Sequence, residues 1–257
     1  MLSLTTRRLP ARIFGAASIL MLASCGGSGS ASSPTPPTAT TYSLHFDGVQ
    51  QFARSTLVGP PSLPVVTVEA WVRPDALTGP SSYGGMVVAD GAWNLALTHN
   101  SPGRVATSVC VPGCNGAFTG ANALSVGTWH HLAMSFDGAS IELYLDGVLV
   151  DSTPHTGGAN NPPFIDIGRW ANSGSLTGEI DEVRIWSVAR TATEIADTRH
   201  QILTGSEPGL FAYWRFEEGT GQTSADSTGN GNTVILGADA NAAADDPTWA
   251  GGGAPVS

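Results

Sequence analysis

Lysine is absent from this 257-residue chain, and its 11 basic residues are all arginine. Against them stand 21 acidic residues and a formal charge of −10, so the chain has no basic face with which to hold a phosphate backbone, which argues against nucleic acid as a partner. Divalent cations and neutral ligands suit this balance. Charged residues of both signs make up only 12% of the chain, and the long amphipathic stripes of a helix bundle are missing, which excludes that class. Cysteine occurs three times and no histidine pair has ligand spacing, so a zinc site lacks its donor set. Gly-x-Ser-x-Gly in an elbow context is also absent, and no local motif assembles a Ser-His-Asp set. What is abundant is glycine (32) and proline (17), the composition of many turns joining short strands. At this length such a chain makes one large all-β domain.

The N-terminus has its own organisation. Arg7, Arg8 and Arg12 precede the apolar run Ile13 to Leu22, which is too short to span a bilayer permanently, so residues 1–24 read as a secretory signal. Removing them makes the remaining chain more acidic still. Leu22-Ala23-Ser24-Cys25 resembles the bacterial lipobox, which implies that Cys25 is lipidated and becomes the new N-terminus. Gly26 rather than Asp follows it, and this resemblance implies release to the outer membrane, on its periplasmic or surface face. Residues 25–41, rich in Gly, Ser, Ala, Pro and Thr, are expected to form a flexible linker. The membrane is therefore an expected partner through a lipid anchor.

The folded part is expected to span 42–250, with a disordered tail over 251–257. Strand patterns run over Tyr42 to Phe46, Val65 to Arg73, Met86 to Ala89, Trp93 to Thr98, Trp129 to Phe136, Ile141 to Val150, Gly178 to Arg190, Leu210 to Phe216 and Thr233 to Leu236. Asp-Gly pairs at 47, 90, 137 and 146 supply hairpin turns. Thr191, with Glu194 three residues on, starts a helix expected to reach Leu203. The predicted fold is an antiparallel jelly-roll β-sandwich with one short connecting helix.

Six segments carry a family likeness: residues 44–48 (LHFDG), 66–74 (VTVEAWVRP), 128–133 (TWHHLA), 141–147 (IELYLDG), 178–186 (GEIDEVRIW) and 213–221 (YWRFEEGTG). Together they resemble a laminin-G-like jelly roll of the concanavalin A-like lectin and glucanase group. In many relatives the segment like 213–232 comes first, whereas here it comes last. A fragment of that size could not bury its own aromatic strand, so it is expected to complete one closed domain. The resemblance implies a structural Ca2+ held by Asp181, with Asp47 and Gly48 as the opposing segment. The alternative is that Asp181 accepts backbone N–H bonds or pairs with Arg184 or Arg54. Asp226, Asn230 and Asn232 form a second oxygen-rich loop, equally compatible with turn chemistry. Laminarinase-type hydrolases share the fold, and Glu179-Ile180-Asp181 begins like their catalytic strand. Position 183 is Val, however, position 184 is Arg, and strict alternation sends Glu182 to the other face, so no enzyme is expected.

Cys110 and Cys114, exported to an oxidising compartment, are expected to form a small loop disulfide. Trp93, Trp170 and Trp249 lie near turns, with Asn94, Asn160, Asn161 and Asn172 in nearby loops; a tryptophan face with amide partners suits a neutral sugar, although rim or core packing is the simpler role for each. Trp71, Trp129, Trp186 and Trp214 sit in strand patterns and suit a core. The expected function is a non-catalytic binding or adhesion module recognising a glycan or surface protein, the alternative being a purely structural envelope component.

Overall fold

In the computed structural model the described residues are 41–56, 63–78, 85–89, 91–98, 101–158, 164–169 and 174–257. They contain sixteen strands: β1 (Tyr42–Asp47), β2 (Ala53–Thr56), β3 (Val66–Pro74), β4 (Met86–Ala89), β5 (Trp93–Thr98), β6 (Arg104–Val109), β7 (Asn115–Phe118), β8 (His130–Phe136), β9 (Ser140–Leu145), β10 (Val148–Pro154), β11 (Phe164–Ile167), β12 (Thr177–Trp186), β13 (Leu210–Trp214), β14 (Thr223–Ser224), β15 (Val234–Leu236) and β16 (Thr248–Gly251). The first sheet runs β10-β9-β8-β3-β12-β1-β16, with β13 also on β12; the second runs β14-β15-β2-β11-β4-β5-β6-β7. The expected all-β antiparallel sandwich is what forms.

Alternation decides which side chains fill the space between the sheets. Val66, Val68, Ala70 and Val72 of β3 meet Leu132, Met134 and Phe136 of β8 and Ile180, Val183 and Ile185 of β12 there, and the second sheet adds Val88, Leu95, Val105 and Ile165. Turn chemistry fixes the hairpins. Asp146 (φ +52) and Gly147 (φ +82) join β9 to β10 with the two positive φ angles that a tight primed turn requires.

The central strand β12 changes partner along its length. Its first half pairs with β1, from Asp47↔Thr177 to Leu44↔Ile180, and its second half with β13, from Val183↔Trp214 to Trp186↔Leu210. Between these halves a bulge interrupts the pairing with β3, and Glu182 takes φ +51. The extra residue is the reason strict alternation fails here: Asp181 and Glu182 both leave the core, and Glu182 lies on the outer face rather than opposite to Asp181.

That outer face is covered, not solvated. Helix α1 (Ala192–Thr198) is shorter than the expected span to Leu203 and keeps the expected capping box, with Thr191 accepting from the Glu194 N–H. It seats Ile195 on Ala133 and Tyr144, while Trp186, Leu203, Leu210 and Tyr213 form a neighbouring apolar cluster. The outward side chains of β3, β8 and β12 under this cover include Glu69, His131 and Arg184, each 0–1% exposed. Arg190 Nη1 lies 2.8 Å from Glu69 Oε1, His131 Nε2 lies 3.2 Å from Glu69 Oε2, and Arg184 Nη1 lies 3.9 Å from the same oxygen. Burial by itself would raise the Glu69 carboxyl, but His131, Arg184 and Arg190 outweigh it and hold the group down at about 2.

The late segment completes both sheets. β13 and β16 join the first, and β14 and β15 join the second through β2. The tail is a correction: residues 252–257 are packed against the domain, with Ala254 4% exposed, the Gly252 N–H on Thr41 O (2.9 Å) and the Ser257 N–H on His200 O (2.9 Å).

Two outcomes follow for stability. Deleting residues 207–257 removes strands from both sheets and is expected to leave no soluble domain with a cooperative melt; a truncated protein that melts like the full chain would refute the single-domain reading. Replacing Glu69 by Gln takes the close carboxylate partner from buried Arg190 and leaves Arg184 with Glu182 alone, and is expected to cost ~3–5 kcal/mol in denaturant titration. Because the Glu69 pKa falls on folding, its contribution is present above the ordinary glutamate value of 4.5 and is lost as pH drops toward about 2, so wild type and Glu69→Gln should converge in that window.

Candidate functional site

The residues expected to hold calcium are not brought together. Asp47 pairs with Thr177, four positions along β12 from Asp181, a separation of roughly 13 Å at ~3.3 Å per residue. Asp47 is spent locally, its Oδ1 accepting from the Val49 N–H at 2.9 Å, while Gly48 makes the turn at φ +80. Asp181 is 1% exposed and accepts backbone donors on both oxygens: the Glu182 N–H on Oδ1 and the Ala254 N–H on Oδ2, each at 2.7 Å. Gly253 permits this approach, since a Cβ there would stand 2.7 Å from Oδ2. A carboxylate surrounded by N–H groups does not fit the all-oxygen shell of calcium. Burial raises the Asp181 carboxyl well above the usual aspartate range, with Glu182 and Glu217 pushing the same way against the two N–H donors. The alternative of backbone N–H bonds describes Asp181; Arg54 instead forks onto Asp166 at 2.6 and 2.8 Å.

The second oxygen-rich loop is likewise filled by donors. Asp226 Oδ1 accepts from the Tyr213 N–H (3.1 Å), the Thr228 N–H (3.0 Å) and the Thr228 hydroxyl (2.7 Å), and Oδ2 accepts from the Asn232 N–H and side-chain amide. Asn230 and Asn232 both turn their amide donors to Phe211 O, and the Asn232 carbonyl takes the Trp214 indole at 2.6 Å. This loop is turn chemistry that ties β13 to the second sheet. Among the described residues no group of three or more His, Cys, Asp or Glu side chains is placed to hold a metal ion.

The hydrolase-like pair is also engaged. Glu179 binds the Ser43 hydroxyl at 2.6 Å and the Arg73 guanidinium, under the tail that covers Asp181. Cys110 and Cys114 form the expected disulfide, beside a cleft of about 380 Å³ whose wall, from Pro112 to Asn115 and Pro154 to Thr156, contains no Phe, Tyr or Trp. Trp93 is a correction: at 1% exposure it belongs to the core, because β5 turns its odd positions inward, and it offers no face to a ligand. Asn94 points the other way, its amide on Ser108 Oγ at 2.6 Å. Trp170, Asn160, Asn161, Asn172 and Cys25 lie outside the described residues. Of the tryptophans expected in the core, Trp214 is there, Trp71 and Trp186 are buried on the outer face instead, and Trp129 is half-buried ahead of β8 with Arg73 over its ring.

Trp249 has the surroundings that Trp93 lacks. It sits on β16, an edge of the first sheet, opposite the loop leading to β14, an edge of the second. Its indole N–H donates to Gly221 O at 2.9 Å, which fixes the ring, and the ring helps to line a cleft of about 410 Å³ with Thr220, Gln222, Asp246 and Thr248. Gly219 (φ +66) permits the loop to pass over Tyr42, where a Cβ would stand 2.6 Å from that ring. Asp246 is 7% exposed, and its Oδ2 accepts the Ala243 N–H at 2.7 Å, which shapes the opposite wall. Gly237 (φ +72) makes room for this carboxylate, since a Cβ there would stand 2.0 Å from Oδ1. Asp246 Oδ1 and Gln222 Oε1 are themselves buried, with no hydrogen-bond donor among the described residues, and do not face the cleft. A fixed aromatic beside the exposed Thr220 and Thr248 in a cleft of this size is a feature of a small-molecule site. The sequence placed Trp249 near a turn, with Asp246 three residues before it, but could not bring Gln222 beside them, because that residue comes from the distant segment ahead of β14.

Residues 47–196, more than half of the chain, match the laminin-G family model described as the concanavalin A-like lectin/glucanases superfamily, and the chain belongs to that family. Among solved structures it is similar to a candidate carbohydrate-binding protein from Bacteroides ovatus, at 18% identity and a TM-score of 0.64, over 86% of this chain and 62% of that one. It is also similar to domains LG4-5 of the mouse laminin alpha1 chain, at 20% identity and a TM-score of 0.46, over 59% of this chain and 44% of that one. The chain thus spans less than two thirds of either. No curated protein matches it.

The state of Asp181 has a measurable consequence. A carboxyl whose pKa rises on folding stabilises fully below its unfolded value, and that contribution is lost as pH rises through the folded one. The stability difference between wild type and Asp181→Asn should therefore move in favour of Asn as pH is raised from about 4 to about 8, read by chemical denaturation. A difference that is flat across that range would contradict a raised pKa.

Proposed function

We propose that this chain is a non-catalytic glycan-binding module, carried at the cell envelope on a lipidated Cys25, and that it holds saccharide in the Trp249 cleft. The observation that carries this reading is the Trp249 ring itself, fixed by Gly221 O at the wall of a cleft that also presents hydroxyl and carboxylate groups. A sugar ring stacks its C–H face on such an indole while its hydroxyls meet the polar wall. The family, which takes its description from lectins and glucanases, supports binding to carbohydrate. Support for a non-catalytic role comes from Glu179 and Asp181, whose oxygens are committed to Ser43, Arg73 and backbone N–H groups under the tail.

A glycan array on the full chain in detergent tests binding. Trp249→Ala is expected to weaken any bound glycan by roughly thirtyfold or more, the loss of a buried aromatic anchor, while circular dichroism shows the fold retained. Silence across the array would instead favour a structural envelope component. Reducing-sugar release from β-glucans, abolished by Glu179→Gln, would overturn the non-catalytic reading. For the anchor, Cys25→Ser is expected to abolish metabolic labelling with a fatty acid and to release the protein from the membrane fraction.

A further inference from the structure

We propose that the Trp249 cleft selects uncharged saccharides and rejects those bearing carboxylate or sulfate, an inference that rests on the glycan reading above. The charge of the wall decides it. Asp246 is the one titratable side chain among the eleven residues from Gly219 to Trp249 that line the cleft; no arginine or histidine lies among them, and the chain has no lysine to lend. Asp245 stands next to it, since a Cβ on Gly237 would meet both carboxylates, at 2.0 Å from Asp246 Oδ1 and 3.4 Å from Asp245 Cγ, but Arg169 lies within electrostatic reach of Asp245 and offsets it. An anionic sugar entering here meets the Asp246 charge with no guanidinium among the lining residues to receive it, which disfavours it by direct repulsion and by desolvation. A neutral sugar brings no charge to be repelled, and the exposed Thr220 and Thr248 among the lining residues offer its hydroxyls partners that can both donate and accept. The Trp249 indole N–H is already committed to Gly221 O, so it is not free to bind an anion.

The selectivity is negative design against acids, so it should respond to charge rather than to shape. The test uses the full chain in detergent and matched oligosaccharide pairs that differ only in oxidation of the primary alcohol, such as galacto- and galacturono-oligosaccharides, measured by calorimetry. The expected result is that the neutral member of a bound pair exceeds its uronic counterpart by about tenfold or more at low salt. The gap is expected to narrow at high ionic strength, which needs no variant, and to narrow again in Asp246→Asn. Equal binding of the uronic member, lost in Trp249→Ala, would overturn the selectivity while leaving the glycan reading intact. If no neutral or acidic saccharide binds on an array that includes both, the glycan reading fails and takes this inference with it. A gap that salt and Asp246→Asn both leave unchanged would assign the selectivity to shape and overturn the charge argument.

Discussion

Glu69 is the buried charge on which the arginines beneath the helix-side cover of the first sheet depend. It is the one carboxylate shared by Arg184, Arg190 and His131. The arginines it anchors then reach upward: Arg184 donates to Thr198 O and Gln201 O, and Arg190 donates to Glu194 O. These are carbonyls in and just beyond a seven-residue helix with no basic residue in its last turn. A helix that short does not persist unaided, and its C-terminal carbonyls need donors. The buried guanidinium groups supply them from below; Glu182 pairs with Arg184 and also accepts the Tyr213 hydroxyl. Remove the Glu69 carboxylate and the arginines that cap these carbonyls lose a shared counter-charge.

This arrangement also determines where a ligand can be held. A sandwich has two outer faces and a perimeter. Here the outer face that carries the acidic pair at 179 and 181 is closed by helix, turn and tail, so carboxylates that look exposed in a one-dimensional strand pattern are structural. The bulge at Asp181 and Glu182 is the hinge of that closure. It lies where β1 ends its pairing with β12 and β13 begins, leaving a gap in the ladder into which the tail can send the Ala254 N–H. The proposed cleft lies instead on the perimeter, where β14 and β16 end their respective sheets.

Most of the first sheet was legible from sequence. β3, β8 and β12 are long and carry Val, Ile, Leu and Trp at alternate positions, a pattern that survives burial of both faces. The strands that escaped notice, β2, β6, β7, β11, β14 and β16, belong mostly to the second sheet. β2 reads Ala-Arg-Ser-Thr and β7 reads Asn-Gly-Ala-Phe; each is four residues long, and their strand character comes from the neighbours that pair with them. β6 does alternate, with Val105, Thr107 and Val109 inward, but Thr107 breaks the apolar series and its length is modest. The Asp181 chemistry was half legible. Its awkward place in a strand was plain, whereas one of its two donors, the Ala254 N–H, comes from a tail whose Gly-Ala-Pro composition gave no sign of packing.

The pairing of β1 with β16 has a mechanical consequence. Tyr42 lies opposite Gly251, and Leu44 opposite Trp249, so the point at which the chain enters the domain is two residue pairs from the proposed ligand contact. A pull between a ligand on Trp249 and an attachment upstream of Thr41 would load that short ladder first, and behind it β1 is held along Leu44 to Asp47 by β12 and by Leu44 and Phe46 in the core. The load would thus end on an interior strand of the sheet, with the edge strand β16 as its only intermediary.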